Sequence, residues 1–137
     1  VLQVELVSPE KVVYTGEATF VRVRTVGDGE IAFLTGHAPF IGALDISTFK
    51  IVTSSGEEVF GAVHGGFVEV SDDRVTILSD VAELADDIDV ARAEQSRTAA
   101  SEILRTDPEH QEALDALRRA EVRVELATAM GATPARH

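Results

Sequence analysis

Four residues stand out for what they could hold. Asp89 and Arg92 lie three apart in ADDIDVARAE (85–94), and Arg119 and Arg123 lie four apart further on. Guanidinium groups bind carboxylates and phosphates through paired hydrogen bonds, so arginines that converge call for an anion or for acids. The Asp–Arg pair also has a plainer reading. Asp is a favoured N-cap, worth about 1 kcal/mol, and an i,i+3 Asp–Arg pair adds a few tenths of a kcal/mol. Both readings stand at this point. Spacing then adds two more arginines. If a first helix ends near 105 and a second begins near 108, Arg92 lies thirteen residues from the turn. That is about 20 Å at 1.5 Å per residue. The same distance from 108 reaches 121, between Arg119 and Arg123, which share a helix face. Gathered like charges need an offset, and Asp89, Glu83 or a nucleotide phosphate could supply it.

Little else in the chain assembles chemistry. His37, His64, His110 and His137 are scattered without ligand spacing, and no carboxylate cluster accompanies them, so no metal site is expected. There is no Cys, which removes thiolate catalysis and disulfides. G-x-S-x-G, Walker A and G-x-G-x-x-G patterns are missing, and no nucleophile meets a base and an oxyanion site. The chain therefore reads as non-enzymatic. Its net charge of −12 argues against nucleic acid as a partner and favours protein partners met through local patches. No apolar run approaches the roughly 20 residues of a membrane span, and no signal peptide is expected before the first strand.

The elements that must position these residues fall into two halves. Residues 1–84 read as strands. LQVELV (2–7), KVVYT (11–15), ATFVRVRTV (18–26), STFKIVT (47–53), EVFGAVH (58–64), GFVEV (66–70) and RVTILS (74–79) alternate or are β-branched. In 18–26, Val21, Val23 and Thr25 share one face and Phe20, Arg22 and Arg24 the other. Gly27-Asp28-Gly29, Ser54-Ser55-Gly56 and Ser71-Asp72-Asp73 mark turns. Such spacing predicts an antiparallel sandwich or flattened barrel.

From about residue 87 the period becomes helical. Val90, Ala93, Ala100 and Leu104 form one stripe. Thr106 and Glu109 are a capping-box pair with Pro108 in the first turn of a second helix, about 108–129. That helix is expected to bury Leu114, Leu117, Ala120, Val124 and Ala127, with Gly131 as its stop. Two helices joined so tightly should lie antiparallel. Their alanine-rich face removes little apolar area from water, so the hairpin is either a moving element or a docked, less stable one. Residues 85–137 hold seven arginines, no lysine and eleven acids. Arginine-only usage suits bidentate recognition, and a GC-rich genome would also produce it.

Three motifs carry a resemblance that covers nearly the whole chain. GEIAFLTGHAPF (29–40) is similar to a G-E-L-G-I-L-P-G-H-x-P-L loop, with Ala32 and Thr35 where Gly and Pro are usual. HGGFVEV (64–70) is similar to a G-G-F-x-x-V strand signature, and IDVARA (88–93) to an I/L-D-x-x-R-A helix start. In this order they resemble the bacterial-type epsilon subunit of F-type ATP synthases. The resemblance implies a sandwich of about ten antiparallel strands over 1–84, binding the gamma subunit and the c-ring. It implies a regulatory two-helix hairpin over 85–137. The whole would be a non-catalytic rotor subunit that couples rotation, peripheral to the cytoplasmic face of the bacterial membrane without inserting into it. Its movable helices would reach the alpha/beta catalytic head and inhibit ATP hydrolysis. Glu30 and Ile31 would face the c-ring and His37 the gamma subunit, while Arg118, Arg119 and Arg123 would meet an acidic segment of the beta subunit. No cofactor is required, but ATP is implied as a regulatory ligand of the folded hairpin. Glu83, Ile88 and Asp89 would lie toward adenine, with Ala93 in the same set, and Arg92, Arg119 and Arg123 toward ribose or phosphate. One further arginine of the family site falls on Ala99, and nearby Arg97 points about 160° away at 100° per residue. The alternative is a free-standing nucleotide-sensing or protein-interaction module.

Overall fold

The computed structural model describes residues 1–131, so His137 lies outside the described residues. Between Leu84 and Ala85 the chain divides into two compact units.

The first unit is built from nine strands: β1 (Leu2–Val7), β2 (Val12–Thr25), β3 (Gly29–Leu34), β4 (Phe40–Ala43), β5 (Ile46–Thr53), β6 (Glu58–His64), β7 (Phe67–Ser71), β8 (Arg74–Leu78) and β9 (Ala82–Leu84). Their order is β4-β7-β8-β1-β2-β5-β6-β9, with β3 on β2. β2 explains how one sheet encloses a core. It is fourteen residues long, pairs with β1 through its first half and with β3 and β5 through its second, and so belongs to both layers. The two segments expected at 11–15 and 18–26 are this one strand, because Gly16 and Glu17 continue the pairing with β1. A register shift between Ala18 and Phe20 kinks it where it passes between layers. β3, expected as part of a loop, pairs residue by residue with β2 from Phe20–Leu34 to Thr25–Gly29. One pairing departs from the antiparallel expectation: β1 and β8 run parallel, from Gln3–Arg74 to Val7–Leu78. The strands between them form a crossover long enough for that direction.

Alternation decides what is buried. Leu2, Val4 and Leu6 point inward from β1, Val21 and Val23 from β2, Phe49 and Ile51 from β5, Val68 and Val70 from β7, and Val75 and Ile77 from β8. Phe33 joins them from β3. Each such side chain contributes roughly 1.5–3 kcal/mol through burial. Gly61 makes room for one of them, since a Cβ there would overlap the Phe49 ring and the Glu83 carbonyl.

The second unit is a short 3-10 turn (Ala85–Asp87), then α1 (Val90–Thr106) and α2 (Gln111–Gly131), which pack on each other. Asp89 caps α1, its Oδ1 accepting the Arg92 N–H at 3.1 Å. The start of α2 differs from the capping-box expectation. Thr106 Oγ1 donates to Ile103 O instead, Pro108 and Glu109 lie in a turn, and His110 precedes the helix. A Pro after the first turn residue favours such a turn over a new helix. The buried stripe also rotates. Ala93 and Ala100 are buried on α1, and Ala113, Ala120, Val122 and Leu126 on α2. Val90, Ile103 and Leu114 are exposed. Leu117, Val124 and Ala127 are half-buried. Alanines seven apart on both helices permit a closer approach than leucine would, so Ala113 rather than Leu114 turns inward.

Candidate functional site

The sandwich carries an apolar row on its outer face. Phe67 pairs with Leu78, Leu78 with Val7, and Val7 with Val12, so one line of side chains crosses β7, β8, β1 and β2. In-register partners share a face. Phe67 is 56% exposed, Leu78 48% and Val12 53%. An open groove of about 520 Å³ runs beside Phe67 and Leu78, walled by Pro9 and Asp80. The wall at Pro9 is a turn closed by Ser8 N–H to Lys11 O at 2.9 Å and Lys11 N–H to Ser8 O at 3.3 Å. The floor depends on Gly66. Its φ is +106°, and a Cβ there would overlap the Leu78 carbonyl oxygen and lie 2.8 Å from Ser79 Cα. Its carbonyl accepts the Leu44 N–H at 2.8 Å. The second glycine of HGGFVEV is thus a steric requirement that lets Phe67 stand beside Leu78, while Gly65 has open space and needs glycine only for its φ of +85°. The row has only a faint signal in sequence, the outward parity of Phe67 and Leu78 in alternating strands.

The residues expected at the other contacts lie around the β2–β3 hairpin. Glu30 accepts from Arg24 Nη2 at 3.0 Å and lies 3.9 Å from Arg22 Nε. Ile31, opposite Val23, is partly buried against the core. His37 stands edge-on to Phe33 with ring centroids 4.9 Å apart, and its Nδ1 lies 2.6 Å from Ala38 O. Asp73 reaches this loop, its Oδ1 accepting the Gly36 N–H at 2.7 Å. Glu83, on β9, contacts the buried His64 ring, Nε2 to Oε1 at 2.9 Å.

In the hairpin, Ile88 precedes the Asp89 cap, and Ala93 is buried one residue beyond Arg92. Arg92 and Arg118 are exposed and Arg119 and Arg123 half-buried. Arg123 has a protein interaction. Among the described residues, the guanidinium groups of Arg92, Arg118 and Arg119 form no ion pair, in a chain with 24 acids. The later start of α2 moves the level opposite Arg92. Fourteen residues separate Arg92 from Thr106, and the same count from Gln111 reaches Glu125. Arg123 is then about 3 Å from that level along the axis and Arg119 about 9 Å. Ala99 and Arg97 are both exposed. Among the described residues no group of His, Asp or Glu has the arrangement of a metal site. No described helix is long and apolar enough to cross a membrane.

An exposed apolar row on a β-sandwich is thus followed in the chain by an arginine-bearing helical hairpin. The family described as ATP synthase, Delta/Epsilon chain, beta-sandwich domain matches residues 1–85. The ATP synthase epsilon chain of Streptomyces griseus is 44% identical over 123 residues, covering 90% of this chain and 92% of that one. The ATP synthase epsilon chain of Brevibacillus brevis is 45% identical over 103 residues, 75% of this chain and 77% of that one. A chain in the cryo-EM structure of the Euglena gracilis mitochondrial ATP synthase, OSCP/F1/c-ring in rotational state 1, shares the fold. Its TM-score is 0.66 at 20% identity, covering 99% of this chain and 81% of that chain. The chain belongs to the ATP synthase delta/epsilon family, whose epsilon chains are non-catalytic subunits.

Proposed function

We propose that this chain is a rotor subunit of a proton-translocating ATP synthase, docked through its sandwich to the gamma subunit and the c-ring. The observation that carries the reading is the Phe67–Leu78–Val7–Val12 row with its groove. Exposed apolar rows rimmed by polar residues are where proteins dock, and here Glu5 and Glu69 supply the rim on β1 and β7. Glu30 at the β2–β3 hairpin is the contact proposed for the c-ring, with Ile31 behind it, and His37 a further contact for gamma. The chain would lie peripherally at the cytoplasmic face of the membrane. Co-purification with gamma and c-ring tests the proposal, and a chain that retains neither partner would reject it.

The hairpin unit is proposed to regulate. Its helices would reach the alpha/beta head, with Arg118, Arg119 and Arg123 meeting acids there. Removing residues 88–137 is expected to raise ATP hydrolysis by the reconstituted head while gamma binding persists. Unchanged hydrolysis would leave the unit a coupling element alone. ATP is proposed as its regulatory ligand. The support is Arg92 beside the oriented Asp89 carboxylate, with Arg123 near the same level of the hairpin, Arg119 farther along α2, and Ile88 and Ala93 as apolar neighbours in the chain. Charge-assisted hydrogen bonds contribute about 1.5–3 kcal/mol each. Calorimetric titration of ATP should therefore give a Kd at least about tenfold weaker for Arg92→Ala and for Arg123→Ala than for the parent chain. An equal heat signal from all three would remove the site.

A further inference from the structure

His110 stands immediately before α2, and its Nδ1 accepts the Ala113 N–H at 3.1 Å. Its own N–H donates to Asp107 O at 3.2 Å, closing the turn, and its carbonyl accepts the Leu114 N–H at 3.0 Å, the first bond of the helix. His110 is thus the cap of α2. The preferred caps are Ser, Thr, Asp and Asn, whose side chains accept through oxygen. An imidazole is different in kind: one nitrogen accepts in the neutral ring, and both donate in the cation. The bond to Ala113 assigns the tautomer, with the lone pair on Nδ1 and the hydrogen on Nε2. Protonation would point a new N–H at the Ala113 N–H and set a positive charge at the positive end of the helix dipole.

Both acidic and basic groups lie near His110 along the chain. Asp107 and Glu109 lie in the connection, Glu112 and Asp115 on the first turns of α2, and Glu102 and Arg105 at the end of α1. Glu102 is engaged by Arg105 at 3.2 Å and Asp115 by Gln111 Nε2 at 3.0 Å. None of the ion pairs among the described residues involves His110. All but the half-buried Asp115 are exposed, so water and salt screen their interactions with the ring, whereas the cap bond is made in direct contact.

We infer that His110 is a proton-switched cap. The neutral ring fastens the first turn of α2, and the imidazolium releases it, freeing the amide of Ala113, a residue buried in the hairpin. Acidification therefore loosens the helix that carries Arg118, Arg119 and Arg123 from the end nearest the turn.

The test is a pH series on the full chain by NMR, following the His110 ring nitrogens and the Ala113 amide, beside His110→Asn. Asparagine keeps an accepting oxygen at the cap and does not titrate. At the same pH, Ala113 exchange in the parent chain should become about fivefold faster than in His110→Asn as the ring protonates, and should match it when the ring is neutral. Fivefold corresponds to about 1 kcal/mol, the usual worth of a cap. The neutral ring should show Nδ1 without a hydrogen. A neutral ring protonated on Nδ1, or an exchange ratio that stays constant through the titration, would overturn the assignment.

Discussion

Replacing Phe67 and Leu78 together by aspartate is expected to abolish capture of the gamma subunit. Both side chains already face water in the isolated sandwich, at 56% and 48% exposure, so the fold loses little. The two aspartates would face each other across β7 and β8, and their repulsion costs roughly 0.2–1 kcal/mol, a small share of the net stability of a domain. At an interface the same residues are central apolar anchors, each worth about 2 kcal/mol or more. Two such losses amount to about a thousandfold in Kd, before the cost of burying two carboxylates. The unfolding midpoint should fall only slightly from that of the parent chain while binding to immobilised gamma disappears. Binding within threefold of the parent would show that the row is not the docking surface.

Gly66→Ala should do the reverse, damaging the fold directly. Its backbone sits at φ +106°, where L side chains are strained, and the added methyl would overlap the Leu78 carbonyl oxygen. Strain of this kind costs about 1–3 kcal/mol, and displacing a packed strand adds about as much again. The sum approaches half the net stability of an ordinary domain. Gly56→Ala is the control, because φ there is +91° but nothing lies within 4 Å of the added atom. Urea midpoints should fall for both variants, and clearly further for Gly66→Ala. Equal midpoints would mean that β8 moves aside at little cost.

Period was the most legible property of this chain. Val21, Val23 and Thr25 are buried as their alternation predicts. Asp89 is a cap, as helix statistics favour. Relations between distant segments were not legible. The parallel β1–β8 pairing depends on a crossover through the whole sandwich, which no local pattern encodes. β9 is three residues long, too short to display a period. The α2 cap was misplaced because Thr106 and Glu109 match a motif while His110, an uncommon cap, matches none. Of the expected inward residues of α2, Ala120 is buried and Leu114 is exposed, with Ala113 buried beside it. Leu114 outranks Ala113 in hydrophobicity, but close helix packing selects for small size. The docking row escaped notice because it is a cross-strand line, assembled from residues 7, 12, 67 and 78 only once register is known.

That register has a consequence for how the chain is made. β1 is an interior strand, lying between β2 and β8, and Gln3 pairs with Arg74, 71 positions later. One edge of β1 therefore stays open until Leu78 has been synthesised, about 4–16 s at usual translation rates. The helical hairpin makes mostly near-neighbour contacts and can form quickly once it emerges. During the wait the nascent chain presents a valine- and leucine-rich strand with an unpaired edge, the condition that favours aggregation. Gln3 and Glu5 are the polar residues within Leu2–Val7, both exposed in the finished fold. A charge inside such a window hinders pairing with other chains, and Glu5 places one there.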